Sequence, residues 1–156
     1  MSGIVKYFSY GSNMSIAQTL DRLGRLPPRV VARLRGYALA FNKPMYDDEH
    51  HAYANVVPAV DDHVLGVLYD CTEADMRNLD VVEGVAQGHY ERKQVTVLVD
   101  GESLAATVYV GCAARGGGGL PTTDEYLETI LEGARDNGFP EEELARILRA
   151  AGRTKP

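Results

Sequence analysis

The sequence predicts an α+β fold on a mixed sheet, and three observations predict it. Strand-like and helix-like segments interleave along the chain instead of falling into separate blocks. The first strand, Ile4 to Ser9, runs through a sharp turn at Tyr10-Gly11-Ser12-Asn13 directly into a helix. Late in the chain, Tyr90 to Val110 reads as a hairpin, with β-rich arms (Val95, Val97, Val99, Thr107, Tyr109) around Asp100-Gly101.

The first helix has a capping-box spacing at Ser15 and Gln18, an apolar face of Ile16, Leu20 and Leu23, and Gly24 as its stop. Residues 25 to 29 carry Pro27-Pro28 and read as a loop. Val30 to Asn42 is a strand, with Tyr37, Leu39 and Phe41 alternating to one side. Residues 43 to 52 are polar and aperiodic and are expected to form an exposed loop. Two strands follow, Tyr53 to Val57 and Val64 to Tyr69, with Asp61-Asp62 as their turn. Thr72 caps a short helix with Met76, Leu79 and Val82 inward and Gly84 as its end. After the hairpin, Gly116 to Gly119 make a connecting loop. Thr122 or Thr123 then caps a helix with Tyr126, Leu127, Ile130, Leu131 and Ala134 on one stripe, ending at Asn137-Gly138. Pro140 starts a last helix with three glutamates in its first turn and Leu144, Ile147 and Leu148 inward.

At 156 residues and 17.0 kDa the chain has the size of one domain, spanning residues 1 to 156. A chain of that length buries roughly 70% of its unfolded surface, enough for a core without disulfide or metal staples. Sixteen basic residues against 22 acidic ones leave a formal charge of -6, which argues against a general binder of nucleic acid or anionic membranes. No apolar run approaches the length of a bilayer span, and no secretory leader is read at the N-terminus. Cys71 and Cys112 sit among apolar neighbours and read as small core residues in a reducing compartment. The expectation is a soluble, cytoplasmic protein.

Several possible chemistries lack their signatures. The four histidines, His50, His51, His63 and His89, have no ligand spacing, and no Cys-x-x-Cys occurs, so no metal is expected. The four-glycine loop lacks the Gly-Lys-Ser/Thr ending of a phosphate loop. Ser12 has no nucleophile elbow around it. Two segments do carry chemistry. The turn Tyr10 to Asn13 offers consecutive backbone N–H groups and a small residue before a helix start, a geometry suited to a carboxylate or an oxyanion. Glu83 falls in the last turn of a helix, where the helix dipole disfavours a carboxylate, and a broken local rule marks a candidate functional residue.

Taken together, Tyr7-Phe8-Ser9-Tyr10-Gly11-Ser12-Asn13-Met14 resembles the opening strand and turn of the gamma-glutamylcyclotransferases. Leu79-Asp80 through Glu83-Gly84-Val85 to Gly88-His89-Tyr90 resembles the same family's catalytic glutamate segment. Ala54 to Pro58, Val64 to Tyr69, Tyr126 to Ile130 and Gly133 to Pro140 resemble later parts of the family in the same order. The Tyr-Gly-Ser-Asn form of the turn resembles the group acting on gamma-glutamyl amino acids more than the glutathione-degrading group.

This resemblance implies a small β-barrel-like mixed sheet flanked by helices, with no cofactor. It implies release of 5-oxoproline and a free amine from a gamma-glutamyl amide. The catalytic general acid/base carries onto Glu83, the glutamyl-binding turn onto Tyr10, Gly11, Ser12 and Asn13, and the pocket tyrosines onto Tyr90, Tyr109 and Tyr126. The alternatives are the same ring closure on a gamma-glutamyl-capped biosynthetic or acyl-carrier intermediate, or on gamma-glutamyl lysine. From another class, a non-catalytic small-molecule binding module on the same fold is the alternative.

Overall fold

The computed structural model describes residues 3–112 and 119–153. Five strands close into a mixed barrel in the order β1-β3-β2-β4-β5. They are β1 (Val5–Ser9), β2 (Arg29–Pro44), β3 (Ala52–Cys71), β4 (Tyr90–Val99) and β5 (Glu102–Gly111). All pairings are antiparallel except that of β1 with β5, where Tyr7 lies opposite Thr107 in parallel. Four helices flank the barrel: α1 (Ile16–Leu23), α2 (Glu73–Val82), α3 (Asp124–Asp136) and α4 (Glu141–Ala150). None of them is long and apolar enough to cross a membrane.

Strand β1 explains how the barrel is closed. It is flanked by β3 and β5, so Tyr7, Phe8 and Ser9 are all buried, and the usual two-residue alternation is lost. Ile4 lies outside the strand and is exposed, so the strand starts one residue later than the sequence predicts. The expected hairpin is present, and Asp100 and Gly101 at its turn have φ of 48° and 82°, as a two-residue type I′ connection requires.

The middle of the chain departs from expectation. The two strands predicted around Asp61-Asp62 are one 20-residue strand, β3. Its ladder to β2 slips between Arg35 opposite His63 and Tyr37 opposite Pro58, so the residues between Pro58 and His63 bulge out across from Gly36. Gly36 (φ 83°) and Asp61 (φ 63°) take the left-handed conformations that this corner needs. The exposed loop expected at 43 to 52 is shorter, because β2 continues to Pro44 and β3 begins at Ala52. Lys43 is buried there, its Nζ donating to the Cys112 carbonyl at 2.7 Å. Cys71 is a core residue as expected, whereas Cys112 is only half-buried. Of the Gly116 to Gly119 loop, all but Gly119 lies outside the described residues.

The helix ends follow their sequence signals with two adjustments. Ser15 caps α1 by accepting from the Gln18 N–H, but the Gln18 side chain does not complete the box. Thr72 and Asp75 form a full reciprocal capping box on α2, and Thr123 rather than Thr122 caps α3. Pro140 stands at the cap of α4, one position before its first helical residue.

Helix α3 carries a glycine in its interior for a packing reason. A Cβ on Gly133 would come within 2.4 Å of Met14 C and Ser15 N, the backbone leading from the Tyr10–Asn13 turn into α1. The Asn137 side chain bonds the Met14 carbonyl at 3.1 Å and holds the same contact. Gly133→Ala is therefore expected to destabilise the fold by about 1–3 kcal/mol, read as a lowered melting temperature. An unchanged melting temperature would mean that the helix retreats from the turn at no cost.

Candidate active site

The C-terminal end of α2, the turn after β1 and the rim of the barrel enclose one pocket of about 140 Å³. The turn Ser12–Met14 is a single 3-10 turn, closed by the Met14 N–H to the Gly11 carbonyl (3.1 Å) and the Ser15 N–H to the Ser12 carbonyl (3.0 Å). The N–H groups of Gly11, Ser12 and Asn13 find no acceptor among the described residues. Consecutive free amides beside a cavity form a concavity for an anion.

Asn13 is the centre of the site and is buried. Its Nδ2 donates to Glu83 Oε1 at 3.3 Å and to Tyr7 Oη at 3.0 Å. Its Oδ1 accepts from Arg22 at 2.7 Å and from Gln18 Nε2 at 3.1 Å. Gln18 Nε2 also donates to Ser12 Oγ at 2.6 Å, which is where the missing half of the α1 capping box has gone.

Glu83 stands at the C-cap of α2, held there by its N–H to the Leu79 carbonyl. Gly84 (φ 64°) then turns the chain, and a Cβ there would lie 2.6 Å from the His89 ring, so only glycine fits. The helix is locked against the barrel by Arg92, bidentate to Asp80 at 2.9 and 2.8 Å, and by Tyr109 Oη donating to Asp80 at 2.7 Å. These two carboxyls on one helix face opposite conditions. Burial raises Asp80, but Arg92 and Tyr109 more than offset it and hold it below its ordinary range. Burial pushes Glu83 up to about 7, with Arg22 and the Asn13 hydrogen bond pulling only partly the other way.

The sign of that shift gives a stability prediction. Between the ordinary carboxylate value of 4.5 and about 7, folded Glu83 keeps a proton that the unfolded chain has lost. Stability therefore falls as pH rises through this window, because folding then buries a charge. Glu83→Gln escapes the penalty. Its melting temperature relative to wild type is expected to climb between pH 4.5 and 7 and to level off above it. A difference independent of pH would place the Glu83 carboxyl in water.

The tyrosines named in the sequence all reach the pocket, but they use their hydroxyls differently. Tyr90 Oη donates to the Ala54 carbonyl (2.9 Å) and Tyr126 Oη accepts from the Ala54 N–H (3.1 Å), so the pair clamps one residue of β3. Tyr10 Oη donates to the Tyr109 carbonyl at 2.7 Å. Tyr109 presents its ring to the pocket while its hydroxyl serves α2. Burial raises all four hydroxyls, which stay protonated.

Tyr7, Gln18, Arg22, Tyr46 and Tyr53 also line the pocket and were not read from the sequence. Tyr46 stacks on His89 with ring centres 4.1 Å apart and donates to the Glu83 carbonyl at 3.1 Å. It comes from the stretch that reads as a featureless polar loop. Gln18, which the sequence offers only as a capping partner of Ser15, and Arg22 are spaced by four on α1 and so share one face of it. No cluster of three His, Cys, Asp or Glu side chains with metal-ligand geometry occurs among the described residues.

Comparisons with known proteins agree with this architecture. The model of the AIG2-like family matches residues 63–147. A gamma-glutamylcyclotransferase of Bos taurus is 29% identical over 138 residues, covering 86% of this chain and 72% of the relative. That of Mus musculus is 28% identical over 140 residues, covering 87% and 73%. A solved structure described as a gamma-glutamyl cyclotransferase superposes with a TM-score of 0.82 at 26% identity, covering 92% of this chain and 86% of that one. The chain belongs to the AIG2-like, gamma-glutamylcyclotransferase family.

Proposed function

We propose that this protein is a gamma-glutamylcyclotransferase, converting a gamma-glutamyl amide to 5-oxoproline and a free amine. One observation carries the reading: the Glu83 carboxyl, which burial pushes up to about 7, lines the same small tyrosine-lined pocket as the unbonded backbone amides of the turn after β1. The amides of Gly11, Ser12 and Asn13 take the glutamyl α-carboxylate. The α-amine beside it then lies toward Glu83, which accepts its proton. The amine nitrogen attacks the γ-carbonyl carbon and a new C–N bond closes the five-membered ring. The bond to the leaving nitrogen breaks as Glu83 returns the proton to that nitrogen, so water is neither consumed nor released.

Tyr7 Oη, already accepting from Asn13, has its own proton to offer the carbonyl oxygen as charge develops there. The reaction is intramolecular, and effective molarities on the order of 10⁵ M or more make positioning a large part of the rate. An acid/base near neutrality suits both proton transfers, whereas a carboxylate at its ordinary pKa would return the proton poorly.

The test is a screen of gamma-glutamyl dipeptides, glutathione and gamma-glutamyl lysine for 5-oxoproline release. Release from at least one compound supports the reading. Saturable binding of 5-oxoproline with no release from any compound would favour a binding module instead.

A further inference from the structure

Resting on the cyclotransferase reading, we infer that Tyr69 and Thr19 are positioning residues for the reaction, gripping the Asn13 carbonyl so that the turn's amides and the Asn13 side chain keep their places. Tyr69 Oη donates to the Asn13 carbonyl oxygen at 2.7 Å, and Thr19 Oγ1 donates to the same oxygen at 2.8 Å. The two hydroxyls lie 3.4 Å apart. A carbonyl oxygen has two lone pairs, so this one is filled. Both side chains are buried and neither lines the pocket, so they act through Asn13 and not on substrate.

Each hydroxyl arrives from a different element. Tyr69 stands on β3 opposite Tyr7 of β1, and the two rings stack with centres 6.0 Å apart. Thr19 is the one buried residue of α1, a helix that leaves Leu20 exposed. A helical threonine hydroxyl ordinarily turns back to the carbonyl four residues earlier. Here the Ser15 carbonyl takes only the Thr19 N–H, and the hydroxyl reaches Asn13 instead. All three carbonyls of the turn are thereby occupied, that of Gly11 by the Met14 N–H, that of Ser12 by the Ser15 N–H and that of Asn13 by the two hydroxyls. Carbonyls of a helical turn point to one end and amides to the other, so tying down the first fixes the second. Asn13 Nδ2 also donates to Glu83 and to Tyr7, so a slip at this residue disturbs the anion-binding amides, the acid/base and Tyr7 together. Donors held in place before the reaction stabilise developing charge without having to reorganise.

The alternative is that the two hydroxyls only satisfy a buried carbonyl, which would lower the melting temperature and leave the kinetics alone. The experiment compares Tyr69→Phe, Thr19→Val and the double variant, using the compound that releases 5-oxoproline fastest in the screen. Each single variant is expected to lose roughly 3–10-fold in kcat/KM, the size of one net hydrogen bond. The double variant should lose on the order of 10²-fold, as for a misplacement of about one ångström, with a parallel weakening of 5-oxoproline in calorimetry. The acid limb of kcat/KM is a readout that a purely structural role would not move. Arg22 and the Asn13 hydrogen bond pull the Glu83 carboxyl down against its burial. When Asn13 slips, that pull weakens, and the acid limb of the double variant moves upward by about half a pH unit. Thr19→Ser, which returns the hydroxyl, should recover most of what Thr19→Val loses.

The single variants decide the matter if the double variant does not fold. Two outcomes overturn the inference alone. One is folded variants that match wild type in kcat/KM, 5-oxoproline affinity and acid limb, whatever their melting temperatures. The other is a loss in Thr19→Ser as large as that in Thr19→Val. Release of 5-oxoproline by wild type from none of the screened compounds overturns the cyclotransferase reading itself, and the roles of Tyr69 and Thr19 with it.

Discussion

Glu83→Gln is expected to cut turnover by ~10²–10⁴-fold while leaving the fold and the affinity for 5-oxoproline nearly unchanged. Glutamine matches glutamate in length and keeps an oxygen to accept from Asn13 Nδ2, so the hydrogen bond at 3.3 Å survives. The contact from Tyr46 goes to the Glu83 backbone carbonyl and does not depend on the side chain. On the proposed mechanism, only the proton shuttle is lost. The measurement is single-turnover 5-oxoproline release beside a calorimetric titration of 5-oxoproline. Turnover within a few-fold of wild type would transfer the acid/base role to another group, and a parallel loss of affinity would make Glu83 a binding residue.

The elements of the fold were legible because each carries its own local signal. Caps at Ser15, Thr72 and Thr123, the Asp100-Gly101 turn and the apolar stripe of α3 all act within a few residues. Closure of the barrel was not legible from periodicity. It depends on β1 pairing with β5 about 100 residues away, and only the resemblance implied it. The expectation of two strands in place of β3 had a physical cause as well. Pro58 and Asp61-Asp62 have turn chemistry, yet their extra residues are absorbed by a bulge opposite Gly36.

The site shows the same division. Glu83 was conspicuous because it sits at a helix end that repels it, and the turn was conspicuous because strand, glycine and helix start coincide. Tyr46 had no local pattern to announce it, since its position is set by stacking on His89 and by an edge contact to Tyr53 5.0 Å away. Arg22 was hidden for another reason. An arginine on the polar face of a short helix is ordinary until the residue it bonds, Asn13, is known to hold the candidate acid/base.

Gly11→Val is expected to weaken binding of 5-oxoproline and of every gamma-glutamyl compound by similar factors, on the order of 10²-fold or more, with little change in melting temperature. Two charge-assisted hydrogen bonds from the turn amides, at ~1.5–3 kcal/mol each, account for a loss of that size. The backbone at Gly11 has φ of -119°, outside the left-handed region. A Cβ there would lie 3.4 Å from Tyr126 Oη and 3.7 Å from Ala54 Cβ. Those are ordinary contacts, so the chain still folds, but the two methyl groups of valine beyond them must enter a pocket of only about 140 Å³. They cover the amides that the glutamyl head has to approach, whatever amine it carries. Calorimetry with 5-oxoproline and KM values for several gamma-glutamyl compounds read the effect. If the folded variant binds 5-oxoproline normally and loses only some amines, the turn contacts the leaving group, and the orientation of substrate in the pocket is the reverse of the one proposed.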